Sequence, residues 1–399
     1  MKEEHKLEAE RKKRLQSARQ LVVKLGTSTV TGREGNLCTE RVEPIVRSIA
    51  RLMRSGRRVV LVSSGAVGLG RAWLGLHPSR LGDLTAKQAC AAVGQSLLMD
   101  AYKRLFAAWE IKVAQILLTE EDFTNWRRYS NLRHTMEKLL QLGVIPIVNE
   151  NDTVSTAELA VIQAGPRTNA FSDNDRLAAL VMSGLEADAL VLLTNVDGFT
   201  RNDPGGSREH PDGSRAEIIP LVDEMTPELR TLAAGPSGSG RGGMITKLEA
   251  AQIAMHCGGT AVIANSQTTD VLDRIFAGEP VGTAFLSLQR MRGKRRWIAF
   301  AAGVQGRIVV DAGAQQAIEQ SKASLLTSGV VRIESHFEAK DVVSIVDRQG
   351  RELARGLANC ASQAVEELLG KRAATGGRGQ GSRTTHIVVR RDHIVLVQK

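Results

Sequence analysis

Between Leu21 and Asn265 the chain alternates short, continuous apolar runs with longer segments whose apolar residues recur at helical spacing. The runs are LVVKLG (21–26), RVVLVSSGA (58–66), KVAQILLT (112–119), VIPIVNE (144–150), ADALVLLTN (187–195) and TAVIAN (260–265). A strand that is apolar on both faces must be covered on both faces, and helices between such strands supply the cover. The pattern therefore predicts an α/β fold with a mainly parallel sheet. The intervening periodicity is clearest from Glu40 to Ser55, where Val42, Ile45, Val46, Ile49, Leu52 and Met53 share one face and Gly56 ends the run. Further helices are predicted over 86–108, over 129–142, from near Asp175, and from Met244 to His256. GTAF (282–285) closes this domain.

Beyond Arg290 the pattern shortens. GRIVVD (306–311), GVVRIES (329–335), DVVSIVD (341–347) and RELARGL (351–357) read as strands divided by turn residues, with helical pieces at 312–320 and 361–369. HIVVRRDHIVLVQK (386–399) alternates and predicts a returning strand pair, and KRAATGGRGQGSRTT (371–385) predicts a flexible loop. The expected organisation is a frayed, partly helical tail over 1–19, the α/β domain over 20–287 and a basic linker over 288–296. A small, mostly-β domain over 297–399 follows, with its flexible loop near 373–384.

Charge is unevenly placed. Of a net +10, an excess of nine positive charges lies beyond residue 289, where 19 Lys and Arg face 10 Asp and Glu. Such a surface attracts polyanions, and solvated basic surfaces are also common. No apolar stretch approaches the ~20 residues of a membrane span, and the first 20 residues lack the apolar core of a secretory signal. The expected place is the cytoplasm, away from membranes. Cys38, Cys90, Cys257 and Cys360 are scattered without CxxC spacing, which predicts reduced thiols and no zinc ribbon.

Open α/β sheets bind ligands beyond the C-terminal ends of their strands. Here those ends carry Lys24 before Gly26-Thr27-Ser28, then Ser63-Ser64-Gly65, and Asn149-Glu150-Asn151-Asp152 after VIPIV. A lysine beside a glycine turn can hold a phosphate, and small hydroxyl residues before a helix can hold an anion or simply cap it. Asp173-Asn174-Asp175 opens another predicted helix, and capping explains one such residue, not two polar clusters. Thr194-Asn195 ends the next strand. Gly238 to Gly243 leads to Met244-Ile245-Thr246-Lys247, a glycine loop opening a helix whose first turn adds a lysine. No strand directly precedes that loop, which argues against a dinucleotide fold, and no GxxxxGK[ST] motif is present.

Taken in order, VVKLGTS, VSSGAV, AVGQSLLM, ILLT, VIPIVNEND, DND, LLTNVDG and GRGGMITK resemble the glutamate 5-kinase family over about Leu21 to Phe285. The stretch RRWIAF…GRIVVDAGAQQAI…SLL…GVVRIE is similar to the PUA domain appended to its bacterial members. AVGQ and VNEND separate this pattern from the acetylglutamate, aspartate and uridylate kinases. The resemblance implies the three-layer amino-acid kinase sandwich with a mainly parallel sheet, plus a PUA domain. It implies ATP-dependent phosphorylation of the L-glutamate side-chain carboxylate to L-glutamyl 5-phosphate, the first step of proline biosynthesis, with ATP as co-substrate and Mg²⁺. No metal-binding residue is expected.

By resemblance, Lys24 and Lys247 are the phosphate-binding lysines and Asp175 the aspartate that orients them, together the catalytic group. Ser64, Asp152 and Asn174 fall at glutamate-binding positions. Thr194, Asn195, Arg241, Gly242, Gly243, Met244, Ile245 and Thr246 join the two lysines at the nucleotide. Asn195 stands where the family has Asp, Arg241 replaces the Thr of GTGGM, and VIQAGPRTNAFS (161–172) lengthens the segment between the two substrate motifs. Proline is implied as feedback inhibitor, a homodimer or homotetramer as assembly, and weak RNA binding for the PUA domain. The alternatives are another amino-acid kinase acting on a different small acid, and an RNA-binding protein with an inactive kinase half.

Overall fold

The run QLVVKL, buried at every residue, forms strand β1 (Gln20–Leu25) and sits inside an eight-stranded sheet. The structure is a computed structural model and describes residues 2–32, 34–119, 121–154, 174–201, 217–233, 243–286, 295, 297–301, 303–320, 323–374 and 386–396. The chain divides into one unit of residues 1–122 and 127–290 and a second of 123–126 and 291–399.

In the first unit, helix α1 (Lys2–Ser17) precedes β1, and α2 (Thr39–Arg54) leads to β2 (Arg58–Ser63). Then come α3 (Ala66–Trp73), α4 (Leu84–Ala107) and β3 (Lys112–Leu118), followed by α5 (Trp126–Gln141) and β4 (Val144–Glu150). Helix α6 (Asn174–Leu185), β5 (Ala189–Thr194), β6 (Leu221–Val222), α7 (Pro227–Ala233), α8 (Met244–His256), β7 (Thr260–Asn265), α9 (Val271–Ala277) and β8 (Thr283–Leu286) complete it. The sheet order is β3-β4-β2-β1-β5-β7-β8-β6. Every pairing is parallel except β7 with β8. This is the mainly parallel α/β sheet that the apolar runs predict. The strand order reverses on either side of β1, so the ends of β1, β2, β4 and β5 border one crevice.

Residues 2–17 form a continuous helix rather than a frayed tail. Arg11, Leu15 and Ala18 are buried, the Arg11 guanidinium donates to the Glu279 carbonyl, and Gln16 Nε2 donates to Ala277 O at 2.8 Å. An arginine at a core-facing position hid the apolar stripe: its stem packs while its head finds a carbonyl.

The second unit is a six-stranded sheet around its own apolar core. Its strands are β9 (Val304–Val310), β10 (Leu325–Leu326), β11 (Val330–Ser335), β12 (Val342–Val346), β13 (Glu352–Ala358) and β14 (Ile387–Leu396), in the order β10-β14-β13-β12-β9-β11. Helices α10 (Ala312–Glu319) and α11 (Ser362–Ala374) accompany it. The last segment is one ten-residue strand, not a strand pair, because both halves of β14 find partners, in β10 and in β13. Residues Phe123–Trp126 fold with this unit: Trp297 Nε1 donates to Phe123 O at 2.8 Å, and the Trp126 ring meets the Trp297 ring edge-on at 5.2 Å.

Among the described residues no helix is long and apolar enough to cross a membrane. None of the four cysteines is in a disulfide, and Cys90 and Cys257 are buried. Helix α11 runs on to Ala374, past the start of the predicted loop at 371, and the segments 161–172, 203–214, 235–242 and 375–385 lie outside the described residues, as does most of the basic stretch 288–296.

Candidate active site

Lys24 is the fifth residue of β1, and the strands flanking β1 are fully apolar at that level, so its side chain is closed to solvent. A buried ammonium requires a partner. Asp175, in the first turn of α6 and wholly buried, supplies it: Lys24 Nζ lies 2.7 Å from Asp175 Oδ1. The other oxygen takes Lys247 Nζ, from the first turn of α8, at 3.1 Å. The single Thr246 hydroxyl proton has two acceptors in reach, that same oxygen at 3.2 Å and Gly243 O at 2.9 Å. Three segments far apart in sequence thus converge on one carboxylate, giving a group of net charge +1 at the sheet's C-terminal edge.

The backbone around this group is shaped for anions. Gly26, Gly65 and Gly243 stand at the N-caps of a helical turn (Thr27–Val30), of α3 and of α8, and no side chain caps any of the three. The first N–H groups of those helices are left for other acceptors, at the positive end of the dipole. Gly65 has φ +109, and a Cβ there would sit 2.9 Å from Val30 Cγ1, so the turn after Ser64 requires glycine.

Beside the lysine–aspartate group lies a chain of amides. Asn174, the residue before Asp175, donates from Nδ2 to Ser64 Oγ at 2.8 Å and to Asn149 Oδ1 at 3.0 Å. Asn149 Nδ2 donates in turn to Gln95 Oε1 at 2.9 Å. Asn174 Oδ1 is buried and has no hydrogen-bond partner among the described residues. Deeper down, the Ser63 and Tyr102 hydroxyls are 2.7 Å apart, and burial pushes the Tyr102 phenol above its ordinary pKa, with the Ser63 hydrogen bond working the other way. The phenol therefore stays a neutral structural partner.

The structure brings Lys24, Asp175, Thr246 and Lys247 into one cluster and Ser64 and Asn174 into its neighbour. Asp152 is half-buried at the turn that follows β4. Thr194 ends β5, with its hydroxyl donating to Asn195 Oδ1 at 3.2 Å, and Asn195 itself is exposed. Gly243 caps α8, the Met244 side chain faces the core, and Ile245 is exposed. Arg241, Gly242 and Asp173 lie outside the described residues. Sequence reasoning did not single out Gln95, Tyr102 or the link from Asn149 to Asn174. The one signal for Gln95 was its place in AVGQ.

No group of three or more His, Cys, Asp or Glu among the described residues could hold a metal ion, and the central carboxylate is committed to two lysines. Among the described residues the side chains form no cage for Mg²⁺.

A glycine-capped, lysine-lined crevice at the switch point of a mainly parallel sheet defines a phosphoryl-transfer class of α/β protein. Residues 19–265 match the model of the amino acid kinase family, and residues 306–375 match that of the PUA domain. The chain belongs to the amino acid kinase family, as a member with an appended PUA domain. Its similarity extends to proteins named glutamate 5-kinase. That of Caldanaerobacter subterraneus subsp. tengcongensis is 42% identical over 95% of this chain and 98% of its own length. That of Moorella thermoacetica is 42% identical over 96% and 97%, and that of Bifidobacterium adolescentis 39% identical over 98% and 99%. At such identity and coverage the glutamate 5-kinases are the group within the family to which it belongs.

Proposed function

We propose that this chain transfers the γ-phosphoryl group of ATP to the side-chain carboxylate of L-glutamate, giving L-glutamyl 5-phosphate, the first step of proline biosynthesis. The observation that carries this reading is the pair of buried lysines locked on opposite oxygens of Asp175, with Asn174 and Ser64 alongside. Phosphoryl transfer asks little covalent work of a protein, and catalysis is mostly positioning and charge neutralisation. Lys24 and Lys247 put two positive charges where negative charge develops on the transferred phosphoryl and its leaving group. Asp175 fixes their ammonium groups before substrate arrives, so no reorganisation is required during the reaction.

The uncapped N–H groups at Gly26 and at the start of α8 favour the nucleotide phosphates, together with Thr246 and residues 241–245. Thr194 and Asn195 border the same side. Ser64, Asn174 and Asp152 hold the amino acid, whose carboxylate is aligned on the γ-phosphorus. Mg²⁺, when bound with the nucleotide, would neutralise charge on its phosphates. The reading extends to cytoplasmic location, a homodimer or homotetramer, and proline competing with glutamate, all supported by the family resemblance. RNA binding by the PUA domain is weak, sequence-independent and lost with salt, supported by the basic excess beyond residue 289.

The test is ADP release by the purified full chain with glutamate, N-acetylglutamate, aspartate and UMP as acceptors. Glutamate is expected to be the best acceptor. A better rate with any of the others overturns the assignment.

A further inference from the structure

Gln95 is a polar side chain kept in a place where an apolar one would cost less. It is 8% exposed, its Nε2 is buried without a hydrogen-bond partner among the described residues, and only its Oε1 is engaged, by Asn149. Leaving a buried donor unmade costs about 1–3 kcal/mol. The backbone is arranged to bring it there. A Cβ on Gly94 would lie 1.7 Å from Ala66 O, and one on Gly70 would lie 1.8 Å from Cys90 O. Glycine at both positions lets α4 and α3 touch backbone to backbone. That contact sets Gln95 under the end of β4, beside the turn from Ser64 into α3.

From Gln95 the hydrogen bonds run in one direction. Gln95 Oε1 accepts from Asn149 Nδ2, Asn149 Oδ1 accepts from Asn174 Nδ2, and the second hydrogen of Asn174 goes to Ser64. Both donors of Asn174 are then committed, and the atom left over is an acceptor, Oδ1. A chain of amides is reversible as a whole: turn the first and each of the others can turn with it. Its polarity follows the atom that Gln95 presents, here Oε1 toward Asn149. With Gln95 presenting oxygen, the Asn174 atom left for a ligand accepts. With nitrogen first, it would donate.

We propose that Gln95 is a positioning residue that acts through Asn149 to hold the Asn174 amide with its oxygen toward the amino acid, where it accepts from the substrate's free α-ammonium. The inference rests on the glutamate reading above and adds to it a residue two hydrogen bonds behind the residue that grips the substrate. It gives AVGQ a physical meaning: the glycine permits the helix contact, and the glutamine sets the sign of the relay. It also predicts a preference for a free amino acid, because an acceptor oxygen rewards an ammonium and gains nothing from an acid that lacks one.

The test uses the full chain and steady-state kinetics with glutamate, ATP and glutarate, which is glutamate without its ammonium. Gln95→Met removes the acceptor at similar volume. It should raise the KM for glutamate about tenfold, the equivalent of one hydrogen bond, with kcat within about threefold and the KM for ATP unchanged. The preference for glutamate over glutarate in kcat/KM should shrink by the same factor. Gln95→Glu offers only acceptors to Asn149, so it locks the observed polarity and should keep the glutamate KM within about twofold of wild type. Combined with Asn149→Ala, Gln95→Met should add nothing to the effect of Asn149→Ala alone. Gln95→Leu replaces the Met variant if that one fails to fold. A Gln95→Glu enzyme as impaired as Gln95→Met, additive double-variant losses, or a fall in kcat at unchanged glutamate KM would each overturn the inference. Failure of the wild type to phosphorylate glutamate would overturn the functional reading itself, before any variant is made.

Discussion

Lys24 Nζ lies 2.7 Å from Asp175 Oδ1, with 5% of the lysine side chain and none of the aspartate side chain exposed. A pair so buried gives up its hydration, and neither partner tolerates loss of the other. Because Lys247 shares the same carboxylate, the three side chains behave as one unit. Lys24→Ala leaves Asp175 with Lys247, and Lys247→Ala leaves it with Lys24. Each is expected to lower kcat by about 10²-fold or more while the protein stays folded. Asp175→Asn is a different case: it leaves two ammonium groups buried against a neutral amide, so both turnover and melting temperature should fall, by about 3–5 kcal/mol in stability. Turnover assays and thermal melts of the three variants check this. A lysine variant with wild-type kcat would reassign that lysine to structure alone.

Asn174 and Asp152 stand on the amino-acid side. Asn174→Ala removes the donors to Ser64 and Asn149 along with the acceptor left for substrate. Asn174→Ala and Asp152→Ala are expected to raise the KM for glutamate several-fold or more, and to move the KM for ATP far less. The opposite split would put these residues on the nucleotide side.

The contact of α3 with α4 leaves no room for a methyl group. In Gly94→Ala or Gly70→Ala the helices must part by more than an ångström, since the clash is with backbone rather than a side chain that could swing away. Overpacking of this sort costs about 1–3 kcal/mol or more. Ser64 immediately precedes the turn into α3, so the shift also reaches the site. A lower melting temperature together with a raised glutamate KM is expected. A change in stability alone would show that the site is insulated from this helix pair.

The fold was legible where the physics is local. Runs such as QLVVKL and ALVLLT are buried at every position, and continuous apolar sequence announces that. The lysine at the end of β1 and the Asn-Asp pair opening α6 were legible because charge and amide groups at strand ends and helix starts demand partners. What local pattern does not reveal is which partner is chosen. Arg11 looks like a solvated residue until Glu279, on the far side of the domain's sequence, offers it a carbonyl. Gln95 looks like an ordinary helix residue, since its meeting with Asn149 depends on two glycines letting helices touch. The attachment of Phe123 to Trp297 joins the first half of the chain to the start of the second unit, beyond the reach of any periodicity.

Asp347 is an acid-sensitive element of the second unit. Burial works to raise its pKa, but hydrogen bonds from the Arg351 backbone and side chain and from Gln349 N outweigh it, and the carboxyl is held below its ordinary value. A depressed folded-state pKa gives stability that is present above the unfolded value and is lost as pH falls through the folded one. The loss therefore begins near pH 4 and grows below it. Asp347→Asn should lower the melting temperature at neutral pH, and its difference from wild type should shrink as pH falls below about 4. Parallel melting curves at all pH values would show that the Asp347 charge contributes nothing.

Removal of the second unit tests how far the kinase half stands alone. Every residue assigned here to the substrates lies at or before Lys247, and the first unit holds its own apolar core. A chain ending near Arg290 is therefore expected to keep its kcat. It should not keep its full stability. Phe123 is 1% exposed, and Phe123–Trp126 fold with the second unit, so the cut uncovers an aromatic side chain and strips the Phe123 carbonyl of its indole partner. Exposing a buried Phe costs about 1.5–3 kcal/mol, which should appear as a lower melting temperature for the shortened chain. The segment directly follows β3, whose last residues pair with Asn149 and Glu150. If loosening it reaches that far, the glutamate KM rises while kcat holds. A shortened chain that folds but has no turnover would show that the second unit completes the active site.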